Sequence, residues 1–107
     1  MAKGDHLGEF EQIVMWAILR LGSNAYGVSI QSEIAERTQR SASFGTIYAT
    51  LDRLEGKGYV SSCLGDATSE RGGRAKRYFQ VTAPGVAVLN ESRRALENIW
   101  TTGLVRV

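Results

Sequence analysis

Four of the thirteen basic residues fall within seven positions, as Arg71, Arg74, Lys76 and Arg77 around the pair Gly72-Gly73. Arginines on a short glycine-bearing loop suit phosphates or a narrow minor groove, because glycine lets the backbone come close and the guanidinium supplies the charge. A second group lies between Ser43 and Lys57. On a helix, Ile47, Leu51 and Leu54 fall on one side, and Thr46, Ala49, Thr50, Arg53 and Lys57 on the other, with Gly45 at the N-terminal end. These outward side chains are short or donor-bearing and include no carboxylate. Small residues admit the edges of base pairs, and threonine and arginine can read them. Catalytic chemistry lacks its parts. One cysteine and one histidine cannot build a zinc site or an internal disulfide, and no nucleophile–base pair is evident. We therefore expect neither an enzyme nor a cofactor.

The elements that must position these groups follow from periodicity. Leu7, Phe10, Val14, Ala17, Ile18 and Leu21 form the buried stripe of a first helix that ends at Gly22. Trp16, with Met15 nearby, lies away from that stripe. A second helix is predicted from about Tyr26 to Thr38, with Asn24 as N-cap and Ile30, Ile34 and Ala35 inward. Residues 39–42 form a turn, and Ser43 caps the third helix. Strand alternation follows at Tyr59 to Leu64, with Cys63 read as a small packing residue. It returns at Lys76 to Val81, so the basic loop is the tip of a hairpin. Thr82 and Pro84 open a fourth helix with apolar positions Val86, Leu89, Leu96, Ile99 and Trp100, and Gly103-Leu104 closes it.

Three helices, a hairpin and a last helix give a mainly α fold with a small β-hairpin: a winged helix-turn-helix plus a C-terminal dimerisation helix. The expected organisation is a tail over 1–6, a DNA-binding domain over 7–81, the dimerisation helix over 82–103 and a tail over 104–107. The chain has 107 residues and a net charge of +2, which is one domain's worth and only mildly basic. No apolar run is long enough to span a membrane and no export signal opens the chain, so a cytoplasmic location is expected.

Several ordered stretches resemble the PadR family of transcriptional regulators. They are Leu7-Gly8-Glu9-Phe10-Glu11, Ala25-Tyr26-Gly27-Val28-Ser29-Ile30, Ser43-Phe44-Gly45-Thr46-Ile47-Tyr48, Leu51-Asp52-Arg53-Leu54-Glu55, Gly58-Tyr59-Val60 and Gly73-Arg74-Ala75-Lys76-Arg77-Tyr78-Phe79, with Val81-Thr82 and Gly85. The similarity covers residues 7 to 100. It implies a cytoplasmic homodimeric repressor, with Gly45, Thr46 and Tyr48 at the DNA. Many relatives carry a longer helical region after the wing.

The expected DNA contacts are thus Ser43, Gly45, Thr46, Tyr48, Ala49, Thr50, Arg53, Arg71, Arg74 and Lys76, on a palindromic operator. Tyr48 is off the outward line and is expected to pack, with its hydroxyl reaching a phosphate. The apolar face of the fourth helix is expected to meet a second copy, the commonest closure being two-fold. Trp16, Leu89, Leu96, Ile99 and Trp100 are placed at that contact, where a small apolar or aromatic effector can bind and relieve repression. The alternative is a winged-helix protein-interaction module without DNA binding.

Overall fold

The structure, a computed structural model, describes residues 7–65 and 75–102. The chain opens with α1 (Glu9–Leu21), a single 3-10 turn (Gly22–Asn24), α2 (Gly27–Thr38) and α3 (Phe44–Gly56). The hairpin β1 (Val60–Leu64) and β2 (Arg77–Val81) follows, then α4 (Ala83–Thr102). The expected winged helix-turn-helix architecture is present. Among the described residues no helix is long and apolar enough to cross a membrane.

The core is built where the helical stripes converge. Val14 and Ile18 of α1 meet Ile30 and Ile34 of α2 and Ile47, Leu51 and Leu54 of α3, all buried. Gly22 ends α1 with φ of 60°, a value an L side chain rarely adopts, and its N–H donates to the Ile18 carbonyl. The strands pair antiparallel with Val60 opposite Val81 and Ser62 opposite Phe79. The other side of β2 is also covered, because the Phe79 N–H donates to Ala25 at 2.8 Å and Tyr26 bridges to Tyr78. The hairpin is therefore pinned to the entry of α2.

Thr82 caps α4. Its hydroxyl accepts the Gly85 N–H at 3.1 Å and donates to the Gly58 carbonyl at 2.7 Å. Gly85 is buried so close to the Tyr59 carbonyl that a Cβ there would collide with it. This close approach seats the first half of α4 on the domain.

Five sequence expectations are corrected by the packing. Met15 is fully buried, because α1 is the central helix, packed by α2, α3 and β2 over a wider arc than one stripe. Ala35 is exposed, one position beyond the buried Ile34. Asn24 does not cap α2. It lies in the 3-10 turn, the cap position belongs to Tyr26, and the Ser29 hydroxyl accepts the Tyr26 N–H at 3.0 Å. Cys63 is exposed, because β1 leaves the core toward its far end, where Leu64 on the opposite side is exposed as well. Leu89 is 1% exposed inside the domain's own core and does not stand on an outer face. Leu96, Ile99 and Trp100 are exposed. The expected stop at Gly103-Leu104 lies outside the described residues.

Candidate nucleic-acid interface

The site begins with the turn that launches α3. Gln39 adopts the left-handed conformation at the end of α2, and Gln31 reaches over to donate to the Ala42 carbonyl at 2.8 Å. Ser43 then caps α3, its hydroxyl oxygen accepting the Thr46 N–H at 3.1 Å. The same hydroxyl donates to the Thr46 side chain at 3.0 Å. The first turn of α3 holds no acidic residue, so the partial positive charge of its free amides is not offset there.

On this frame Ser43, Phe44, Gly45, Thr46, Tyr48 and Ala49 are exposed. Apart from Phe44 and Tyr48 they are small. The start of α3 therefore has a low profile, with no long side chain at Gly45 or Thr46. Tyr48 behaves as expected in part. Its ring packs at 6.4 Å from Phe79 and its hydroxyl lies against Gly27 in the first turn of α2. Phe44 falls three residues before Ile47 and seven before Leu51, on the line of the buried stripe, yet it is 43% exposed at the helix start, so spacing alone does not mark it as a surface residue.

Thr50 is a correction. It is 1% exposed and cannot face a partner. It sits three residues after Ile47 and four before Leu54, within the buried arc, and its hydroxyl donates to the Thr46 carbonyl at 2.9 Å. Arg53 is exposed along most of its side chain but already engaged. Its guanidinium donates to the Thr50 hydroxyl at 3.3 Å and to Glu11 at 3.4 Å.

Glu11 is the group that sequence reasoning passed over. It is only 6% exposed, yet charged partners surround it. The Gly8 N–H donates to Oε1 at 2.8 Å, and the Lys57 ammonium donates to both oxygens at 3.1 and 3.3 Å. Burial raises the pKa of this carboxyl, but Gly8, Lys57 and Arg53 together outweigh that and hold it below the usual 4.5. The signal was available: Glu11 falls on the line Leu7, Val14, Ile18, where a charge needs a reason.

The hairpin supplies the second part. Gly65 donates to the Lys76 carbonyl at 2.7 Å and lies under the Tyr78 ring, closing the root of the wing. Lys76 Nζ stands 4.1 Å from the centre of the Tyr26 ring, a cation–π contact. Arg77 is held by Glu55 at 3.0 Å and by Ser62 at 3.1 Å. Arg71 and Arg74 lie outside the described residues. Among the described residues no three His, Cys, Asp or Glu side chains are grouped to hold a metal ion.

Trp16 is 37% exposed on α1 and walls a shallow hollow of about 120 Å³ between α1 and α2. Ile13, Ala17 and Ile34 form its floor, and Arg20, Glu33 and Arg37 its rim. Glu33 accepts from Arg20 at 2.8 Å and from Arg37 at 3.1 Å, and these two bonds hold its pKa down. Trp100 is 53% exposed near the end of α4.

Residues 16–91 match the model of the transcriptional regulator PadR-like family. A protein of Lysinibacillus sphaericus is 35% identical over 86 residues, which are 78% of this chain and 74% of its own. The transcriptional regulator Rv3488 of Mycobacterium tuberculosis is 37% identical over 79 residues, 72% of this chain and 67% of its own. Among solved structures, a transcriptional regulator from Clostridium thermocellum superposes with a TM-score of 0.71 at 22% identity, covering 90% of this chain and 92% of that one. A PadR-like transcriptional regulator from Bacillus cereus gives 0.70 at 22% identity, covering 87% and 85%. At these identities the two structures speak to the fold.

Proposed function

The chain belongs to the PadR-like family of transcriptional regulators, not of enzymes, and from that premise we propose that it is a homodimeric repressor. In this reading it binds a palindromic duplex operator and is released by a small apolar effector or another signal. The observation that carries the DNA reading is the start of α3. It is a capped helix end free of acidic residues, exposing Ser43, Gly45, Thr46 and Ala49 as small or hydroxyl-bearing groups. Such an end can enter the major groove, where Thr46 meets base edges and Tyr48, anchored over Gly27, offers its hydroxyl to a phosphate. The basic wing, with Arg71, Arg74 and Lys76, adds contacts that do not depend on sequence.

This division of labour predicts two kinds of mutant. Arg71→Ala and Arg74→Ala will weaken binding on every duplex and flatten its salt dependence, the log–log slope falling by about 0.9 for each phosphate no longer neutralised. Thr46→Ala will instead change which sequence is preferred. Fluorescence anisotropy on a panel of duplexes over a salt series checks both. Identical behaviour of the two kinds would contradict the split.

The dimer is supported by the exposed apolar groups Leu96 and Trp100 on the second half of α4, together with Ile99, and by Trp16 on α1. Paired aromatic faces there can hold a planar effector, and binding would bias the spacing of the two α3 helices. The tryptophans report on it directly. In Trp100→Phe, emission from Trp16 will be blue-shifted in the dimer and move to the red as the protein is diluted through dissociation. Water-like emission that ignores dilution would place Trp16 on bare surface.

A further inference from the structure

Most charged contacts on the described surface are exposed pairs such as Arg93 with Glu97 and Arg40 with Glu9. Such pairs contribute little. The Glu11 cluster differs in three ways. Its carboxylate is buried, it has three sources of donors, and two of these, Arg53 and Lys57, come from α3 some forty residues away. A buried carboxylate deprived of water is stable only while such donors stay in place. Both cations are therefore attached to a carboxylate that belongs to α1.

In the DNA-binding reading, α3 is also the helix that faces the duplex. Sequence-independent affinity grows with the number of phosphates that lysine and arginine neutralise. Arg53 lies in the last turn of α3 and Lys57 caps its C-terminal end, beyond the N-terminal end that enters the groove in that reading. Cations there meet backbone more readily than base edges. We propose that Glu11 is a specificity-determining positioning residue: by holding Arg53 and Lys57 to the protein, it keeps them off the phosphates and lowers affinity for duplex DNA of arbitrary sequence. The same contacts fix the start of α1 against the end of α3. This inference rests on the DNA-binding reading.

The test compares wild type, Glu11→Gln, Glu9→Gln and Lys57→Gln by anisotropy on a random-sequence duplex of about 25 base pairs, a length sufficient for two half-sites about 10 base pairs apart. Salt is varied, and circular dichroism monitors the fold. Glu11→Gln keeps the shape of the side chain but frees two cations. Its log–log salt slope is expected to steepen by about 0.9 to 1.8, and its affinity at low salt to rise about tenfold. Glu9→Gln removes the same charge from the same helix, where among the described residues Glu9 holds the exposed Arg40, so its slope is expected to stay within about 0.3 of wild type. Equal effects of the two substitutions would reduce Glu11 to net charge and overturn the proposal, as would no change in Glu11→Gln.

Lys57→Gln serves if Glu11→Gln does not fold. Lys57 is already held, so removing it should change the slope by less than about 0.3, and a fall of about 0.9 would show it on a phosphate and overturn the proposal. A wild type that binds no duplex even at low salt overturns the DNA-binding reading itself, which is distinct from a wild type that binds with unaltered mutants.

Discussion

Leu89→Ala will destabilise the folded chain by about 2–5 kcal/mol, the usual range for truncating a fully buried leucine. For a domain of this size that lowers the thermal midpoint by roughly 8 °C or more. The structure makes this specific. Leu89 is 1% exposed, in the half of α4 that Gly85 and Thr82 bind down onto Tyr59 and Gly58. Leu96, on the same helix, is 56% exposed. Leu96→Ala will therefore leave the monomer's fold nearly unchanged and weaken association instead. Thermal melts across a hundredfold range of protein concentration separate the two. The Leu89→Ala loss persists at every concentration, whereas the Leu96→Ala loss grows smaller where the protein is monomeric. If Leu89→Ala acted only through association, the first half of α4 would not be docked on the domain.

Ala49→Glu will reduce affinity for duplex DNA by about a hundredfold or more at low salt, since a like charge set against another costs several kcal/mol and 1.4 kcal/mol is tenfold. Ala49 is exposed, four residues after Gly45 and three after Thr46, so the added carboxylate would stand in the middle of the small-residue face. Glutamate is a good helix former, and the exposed position leaves the core untouched. Ala49→Gln adds nearly the same bulk without charge. The difference between the two variants is then electrostatic, and anisotropy will show it shrinking as salt rises. Equal losses from both would mean that crowding, not charge, governs this face.

Much of the fold was legible because the stripes are strong. Val14 and Ile18, Ile30 and Ile34, and Ile47, Leu51 and Leu54 recur at helical spacing, and Ser43, Thr82 and Gly22 punctuate them with side chains whose hydrogen bonds or φ values explain their choice. What periodicity could not supply was the width of each buried arc. Met15 and Thr50 border their stripes and are buried, and so is Leu89, on the half of α4 that is seated on the domain. The cover over Leu89 comes from the seating of the first half of α4 on the domain through Thr82 and Gly85, and such facts depend on tertiary contact. Arg53 shows the same limit in the site. Its place on the outward line was clear, but its attachment to Glu11 joins residues 42 positions apart and could not be read from either helix alone.

If the exposed start of α3 reads base edges in a duplex bound by two copies of the chain, the bound sequences themselves will show it. Selection of bound duplexes from a randomised pool, followed by sequencing, examines this without assuming an operator. The expected result is enrichment of an inverted repeat whose half-sites lie about 10 base pairs apart, centre to centre, and a changed half-site when Thr46→Ala is selected in parallel. Recovery of unenriched sequences by a folded wild type, or an identical consensus from Thr46→Ala, would contradict it.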